Sequence, residues 1–199
     1  EYLPQKLKGD FLVKGIGSIS FWFRVFSFSH FVEKAKMLAK LKVAIPKLRP
    51  YLQDPTLWKS LFINYEKPHV ERLWMPWEDD YRLSLHRVWR CAEGEALYHP
   101  HPWPSAVYLL DGYMMKTGIS ADAALSEPPP VTMTLSLAGG SYYEMVDPTG
   151  WHSVTPLASS MKSGRYALSV MLTGKPWTVG RLALASAQSR LQTPMDFVW

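Results

Sequence analysis

The chain has 199 residues, with 22 Lys+Arg against 17 Asp+Glu, a single cysteine and 47% apolar residues. This fits one globular domain, or one domain with an appendage; Cys91 has no second cysteine in the chain to pair with, and the apolar clusters are broken by Arg24, His30 and Lys34 before the ~18 residues that a spanning helix needs. The net charge of +5 is unevenly spread: residues 1–90 carry 16 basic and 9 acidic side chains and residues 91–199 carry 6 and 8, so two regions of different character meet near Arg90.

The first region reads as helical and basic. An aromatic run from Phe21 to Phe28 needs a cover, either the rest of the protein or a second copy of the chain. From Ser29 to Ala44, Phe31, Ala35, Leu38 and Leu41 recur at three- and four-residue intervals among Lys34, Lys36, Lys40 and Lys42. That pattern predicts an amphipathic helix over 29–44, ended by Pro46 and Pro50. A shorter helix is expected from Pro55 to Tyr65, with Asp54 as its N-cap and Leu57, Trp58, Leu61 and Phe62 as its apolar stripe.

From Tyr81 onward the period changes to two, as where Thr132, Thr134 and Ser136 alternate with Val131, Met133, Leu135 and Leu137. Strands are expected over 81–90, 105–110, 112–116, 131–137, 141–146, 151–156, 165–173 and 176–182. Turn signals such as Gly139-Gly140 and Asp147-Pro148-Thr149-Gly150 separate them. Eight short strands punctuated in this way indicate an antiparallel sandwich or barrel.

The residues that carry chemistry lie between these strands. In Tyr98-His99-Pro100-His101-Pro102-Trp103-Pro104, an H-x-H pair on extended backbone points two imidazoles to one face, within reach of one metal ion. A third ligand must come from elsewhere in the chain, and His152, in Pro148-Thr149-Gly150-Trp151-His152, is the candidate. Neutral imidazole suits iron, zinc, copper or nickel, and three facial ligands leave positions for water or substrate.

These segments resemble the two motifs of the cupin superfamily. Gly94 precedes His99 by four intervening residues, and Gly112 follows His101 at the interval of the first motif. Pro148, Gly150 and His152 match the second, with one residue fewer before the histidine. The resemblance covers about residues 81–181 and implies a mainly β fold, an antiparallel jelly-roll barrel, with the N-terminal helices as an extension. It also implies a metal centre of His99, His101 and His152. Ser105 stands where the family usually places a glutamate ligand, so a three-histidine site is implied, with Ser105 and Trp103 as its neighbours. Relatives with three histidines include dioxygenases that bind Fe(II). Iron(II) is therefore the expected cofactor, with zinc, nickel or manganese as alternatives and no organic cofactor. Cys91 is not where thiol dioxygenases often carry a cysteine, which argues against that assignment.

Further candidates follow from strand parity. On 81–90, Leu83, Leu85, Arg87 and Trp89 share one face, so Arg87 is expected inside the barrel, where it would hold an anionic substrate group. His86 would then face outward unless a bulge exchanges the two. Glu144, Tyr143 and Tyr166 are candidate acid or base groups.

The expected organisation is a basic helical extension over 1–74 packed on the barrel, a cupin barrel over 75–185 and a C-terminal tail over 186–199. The working function is an Fe(II) dioxygenase or oxygenase acting on a small, anionic substrate. The rivals are a non-catalytic small-molecule-binding or accessory cupin and a metal Lewis-acid isomerase or hydrolase. A homodimer is expected by analogy, and the basic helix 29–44 is a candidate for weak polyanion or partner contact, peripheral to the chemistry. No secretion signal is legible, so the expected address is cytoplasmic; a chain opening on Glu1 rather than Met is expected to continue upstream.

Overall fold

A computed structural model describes residues 37–63, 69–92, 94–121, 125, 127–160, 165–177 and 189–192. Among them eleven strands form: β1 (Lys59–Ile63), β2 (Val70–Trp77), β3 (Tyr81–Trp89), β4 (His99–Pro100), β5 (Ser105–Leu109), β6 (Tyr113–Ile119), β7 (Met133–Leu137), β8 (Tyr142–Met145), β9 (Gly150–Pro156), β10 (Tyr166–Thr173) and β11 (Ser189–Gln192). They make a seven-stranded sheet in the order β11-β1-β2-β3-β10-β5-β8 and a four-stranded sheet in the order β4-β9-β6-β7. Every pairing is antiparallel.

The pairing is nested. β3 pairs with β10, β4 with β9, β5 with β8 and β6 with β7, so residues 81–173 form one long antiparallel ribbon wrapped over two facing sheets. That is jelly-roll connectivity, and the fold is mainly β with a short N-terminal helix, as the sequence leads one to expect. No strand joins the two sheets at their sides among the described residues, so the jelly roll is open-sided and not the closed barrel expected. One reason lies in β4: prolines 100, 102 and 104 supply no N–H to a ladder, and only two residues of the segment pair as strand.

Parity gives the large sheet two cores. Leu73, Met75, Leu83, Leu85, Ala106, Val170 and Leu172 face outward and pack under Met37, Leu41, Ala44 and Leu48. The sheet's other face turns Val70, Val88, Val107, Leu109, Ala167 and Met171 toward Tyr113, Met115 and Val154 of the small sheet, closing the interior between the layers. Residues 37–44 are α-helical, and Pro46 does not end the helical path: a 3-10 turn over Ile45–Lys47 leads into a helix over Leu48–Leu52 that contains Pro50. Pro46 and Pro50 each sit near the start of a helical segment, where an absent N–H costs little. The expected helix start at Ser29, and the aromatic run 21–28, lie outside the described residues.

Sequence reading and structure part company at residues 55–77. Asp54 caps as expected, its carboxylate accepting from Thr56 N at 3.0 Å, but the helix it starts is a single 3-10 turn, Pro55–Leu57. Lys59–Ile63 is β1 instead, paired to β2, so the large sheet starts at Lys59, well before the expected boundary at 75. Leu61, Phe62 and Ile63 suit a strand as well as a helix stripe, and the open edge of β2 decides between them. The expected tail 186–199 supplies β11, which pairs with β1. The strand expected at 176–182 does not begin at Pro176 and Trp177; residues 178–182 lie outside the described residues. No helix among the described residues is long and apolar enough to cross a membrane.

Lysines of the basic helix meet an acidic turn. Lys40 and Lys47 pair with Asp79 and Glu78 at 3.3 and 3.2 Å, on the hairpin between β2 and β3. Both pairs are exposed and contribute little, up to about 1 kcal/mol each. What fastens the helix is its buried stripe, and Leu41, fully buried at 0% exposure, is its centre. Leu41→Ala is expected to destabilise the protein by roughly 2–5 kcal/mol, measured by denaturant unfolding. A loss below about 1 kcal/mol would mean that the helix is not integral to the fold.

Candidate metal centre

The three histidines of the motifs come from two neighbouring strands and from the residue that follows one of them. His99 of β4 lies directly opposite His152 of β9 in the antiparallel register. His101 follows two residues after His99, and backbone bonds from Trp177 N to the Pro102 carbonyl at 2.8 Å and from Gly174 N to the Pro104 carbonyl at 2.9 Å hold its flank. The rings cluster as a result: centroids are 5.1 Å apart for His99 and His101, 4.9 Å for His99 and His152, and 4.7 Å for His101 and His152. One ring nitrogen from each lies within 4.8 Å of the other two.

The details fit a cation. His101 Nε2 and His152 Nε2 are 2.8 Å apart, and two imidazole nitrogens at that distance either share a proton or share a cation. Two nitrogens each about 2 Å from one ion stand roughly 3 Å apart. His99 Nδ1 donates to the Leu97 carbonyl at 3.0 Å, leaving Nε2 bare. Ser105 Oγ lies 3.3 Å from His101 Nδ1, fully buried beneath the pair. His152 Nδ1 is buried with no partner among the described residues. Burial pushes His99 down to about 4, the Leu97 carbonyl opposing the shift in part. Desolvation, then the neighbouring imidazoles, hold His101 and His152 well below the ordinary histidine range. All three rings are neutral at pH 7, with lone pairs free for coordination.

The cavity beside them is small, about 40 Å³ of free space, and extends between the sheets to His69, Arg72, His86, Tyr113 and Tyr143, over an apolar wall of Val88, Val107, Val154 and Met171. Tyr113 donates to Ser169 Oγ at 2.9 Å. Burial raises the pKa of both tyrosines, so each hydroxyl keeps its proton.

On β3 the structure reverses the expected facing. His86 lines the cavity, while Arg87 turns to the other face and pairs with Glu71 at 3.0 Å, its guanidinium over the rings of Tyr166 at 5.1 Å and Trp89 at 5.7 Å. The apolar face of Leu83 and Leu85 is inward with respect to the helix, not to the space between the sheets; the parity is as read, but its two sides are exchanged. Tyr166, beside Arg87, and Glu144, which lies opposite Ala106 of the outer core, are likewise turned away from the histidines. Trp103 does not line the cavity; its ring lies 5.8 Å from the Arg82 guanidinium.

One residue was missed. Arg72 lies opposite His86 in the β2–β3 register, and its Nε donates to His86 Nε2 at 2.8 Å. A guanidinium only donates, so His86 accepts on a bare Nε2 and carries its proton on Nδ1. The signal available in the sequence was the alternation Val70-x-Arg72-x-Trp74, hidden by reading 1–74 as helical.

No known family's sequence model matches the chain, and no curated protein sequence matches it. Solved structures do. The Fe(II) form of HppE with the substrate (S)-1-HPP superposes with a TM-score of 0.45 at 13% identity, over 61% of this chain and 58% of that one. Hydroxypropylphosphonic acid epoxidase from S. wedmorenis gives 0.43 at 13% identity, over 61% and 57%. The chain thus spans less than two thirds of those proteins. A likeness at this level says nothing about the chemistry of this chain, which rests on its own residues.

Since Arg87 and Glu71 are both largely buried, at 18% and 13% side-chain exposure, removing the arginine strands a carboxylate. Arg87→Met is expected to lower unfolding stability by about 2 kcal/mol and to leave metal uptake unchanged in a titration. Weakened metal uptake in a variant as stable as wild type would contradict this placement.

Proposed function

We propose that His99, His101 and His152 hold one divalent metal ion, with iron(II) favoured, and that the protein is a metal-dependent oxygenase acting on a small substrate. The observation that carries the reading is the convergence of three neutral imidazoles, His152 buried and His99 and His101 half-buried, with no carboxylate among the described residues lining the cavity. An all-imidazole facial set suits a divalent transition metal and leaves positions for exogenous ligands. Bound there, such an ion would bring dioxygen and substrate together and stabilise charge that develops on oxygen.

The chain's own contribution is geometric and dielectric. The Leu97 carbonyl and Ser105 Oγ fix the tautomer and tilt of His99 and His101 through their Nδ1 atoms. Val107, Val154 and Met171 give the cavity an apolar wall, and low polarity beside a polar interaction strengthens it. The Tyr143 hydroxyl, protonated and on the cavity wall, is the group placed to donate a hydrogen bond to a bound ligand. Glu144 faces the outer core, so an isomerase or hydrolase reading loses the carboxylate it would use as proton carrier.

Protein purified without a histidine tag is expected to retain close to one metal ion per chain by elemental analysis, and iron-loaded protein to take up oxygen when its substrate is present. His101→Ala and His152→Ala should each abolish stoichiometric metal; full retention in either variant would overturn the centre. Ser105→Ala should weaken metal binding by roughly 10–100-fold while leaving the stoichiometry at saturation unchanged. Equal affinity in wild type and Ser105→Ala, measured by competition with a chelator, would remove the serine from the site.

A further inference from the structure

Among the described residues Arg72 is a cation without an anion. Its Nε bonds His86, no carboxylate meets it among the described residues, and neither Asp nor Glu lines the cavity it enters. By contrast Arg87, on the opposite face of the same sheet, is paired with Glu71. Burial, with Arg82 nearby, brings the Arg72 guanidinium down to about 10, so it remains charged at pH 7. Arg72 is half-buried, so its charge is partly shielded from water and gains from an anionic partner. With Nε occupied, the two Nη groups are what Arg72 has left to offer, a planar fork that matches the two oxygens of an oxyanion.

A second unpartnered group points into the same space. His69 is 4% exposed, lines the cavity, and has no hydrogen-bond partner on Nε2 among the described residues. A ligand that satisfied Arg72 alone would leave this atom unanswered, so the occupant is polar at two positions. The charge of the centre acts in the same direction. A divalent cation held by the three neutral imidazoles would add to the positive charge of the guanidinium, with no acidic residue among the described residues of the wall. The small size of the cavity sets a small ligand.

We propose that Arg72, with His69 beside it, forms an oxyanion subsite that holds the carboxylate or phosphate group of a small substrate against the three-histidine centre. The position of the substrate's second donor rests on the metal reading given above; the anion contact at Arg72 does not. The substrate class is therefore a small acid with a second polar group that reaches the histidines. Arg72 is the specificity-determining residue, in the place first assigned to Arg87.

The test is calorimetric titration of the full chain with acetate, oxalate and inorganic phosphate, on chelator-treated protein and on protein loaded with Co(II), with cobalt uptake measured separately. Wild type is expected to bind at least one of the three, and Arg72→Gln to bind it about tenfold more weakly or worse, with cobalt uptake unchanged. The tighter of the carboxylates and phosphate names the group. Binding by Arg72→Gln equal to wild type, or no binding of any probe to wild type in either form, overturns the subsite. Should cobalt fail to load, the metal centre falls, and the metal-free titrations still decide the subsite. Should Arg72→Gln not fold by circular dichroism, Arg72→Lys, which keeps the charge and loses the fork, is expected to bind more weakly than wild type, and equal binding overturns the proposal.

Discussion

Five imidazoles and one guanidinium face a single cavity that no carboxylate shares among the described residues, and much of the molecule is arranged around that constraint. Each imidazole is partly or wholly withdrawn from water, which favours its neutral form. Desolvation is the largest influence on all five, opposed in part by the Leu97 carbonyl at His99 and the Val154 backbone at His69. Neutral rings cannot hold one another by charge. They are placed by backbone instead: the β4–β9 register sets His99 against His152, and the β2–β3 register sets Arg72 against His86. The site is thus a consequence of strand pairing, and an error of one residue in either ladder would take a ring out of the cavity.

The large sheet makes this possible because it is covered twice. Without the helix over its outer face, Leu83, Leu85, Val170 and Leu172 would lie against water, and the sheet would be driven to bury them by turning that face inward. With the helix in place the apolar set is satisfied outside, and the inner face is free to carry His86, Ser84, Ser105 and Ser169 among its valines and methionines. The N-terminal elements are therefore more than an appendage to the jelly roll. They determine which face of β3 can afford polar residues.

That double cover also explains what the sequence could and could not reveal. The alternation on 81–90 is plain, and so are the turn signals, the H-x-H pair and the segment leading to His152, all of them local patterns. Six of the eight strands expected downstream of residue 80 begin and end within two residues of those observed, and the strand expected at 112–116 runs on to Ile119. Parity, however, identifies two faces without saying which is inside. The more apolar face is the usual choice for an interior, and it fails where a helix makes a second core. The same assumption put Arg87 in the lumen and His86 outside, and reading 1–74 as helical concealed β1, β2 and Arg72. Residues 59–63 show the limit from the other side: Lys-Ser-Leu-Phe-Ile is too short for its period to separate strand from helix, and only pairing with β2 decides.

The charge of the chain acquires a different meaning once these residues are placed. Divided at Arg90, the basic excess of the first part reads as a contact surface peripheral to the chemistry. Some of it is on the surface: Lys40 and Lys47 answer the acidic turn at Glu78 and Asp79. But Arg72 and Arg82 come from the same stretch and belong to strands that enclose the cavity, Arg72 within it and Arg82 near enough to press on its charge. Arg82 is exposed and stacks over Trp74 at 5.3 Å and Trp103 at 5.8 Å, so positive charge continues from the cavity to the surface of the sheet. A gradient of that sign lowers the energy of an approaching anion before it reaches Arg72. The basic character of the first ninety residues thus reaches into the site, and a whole-chain or half-chain charge count could not have separated the lysines that face the turn from the arginine that faces the histidines.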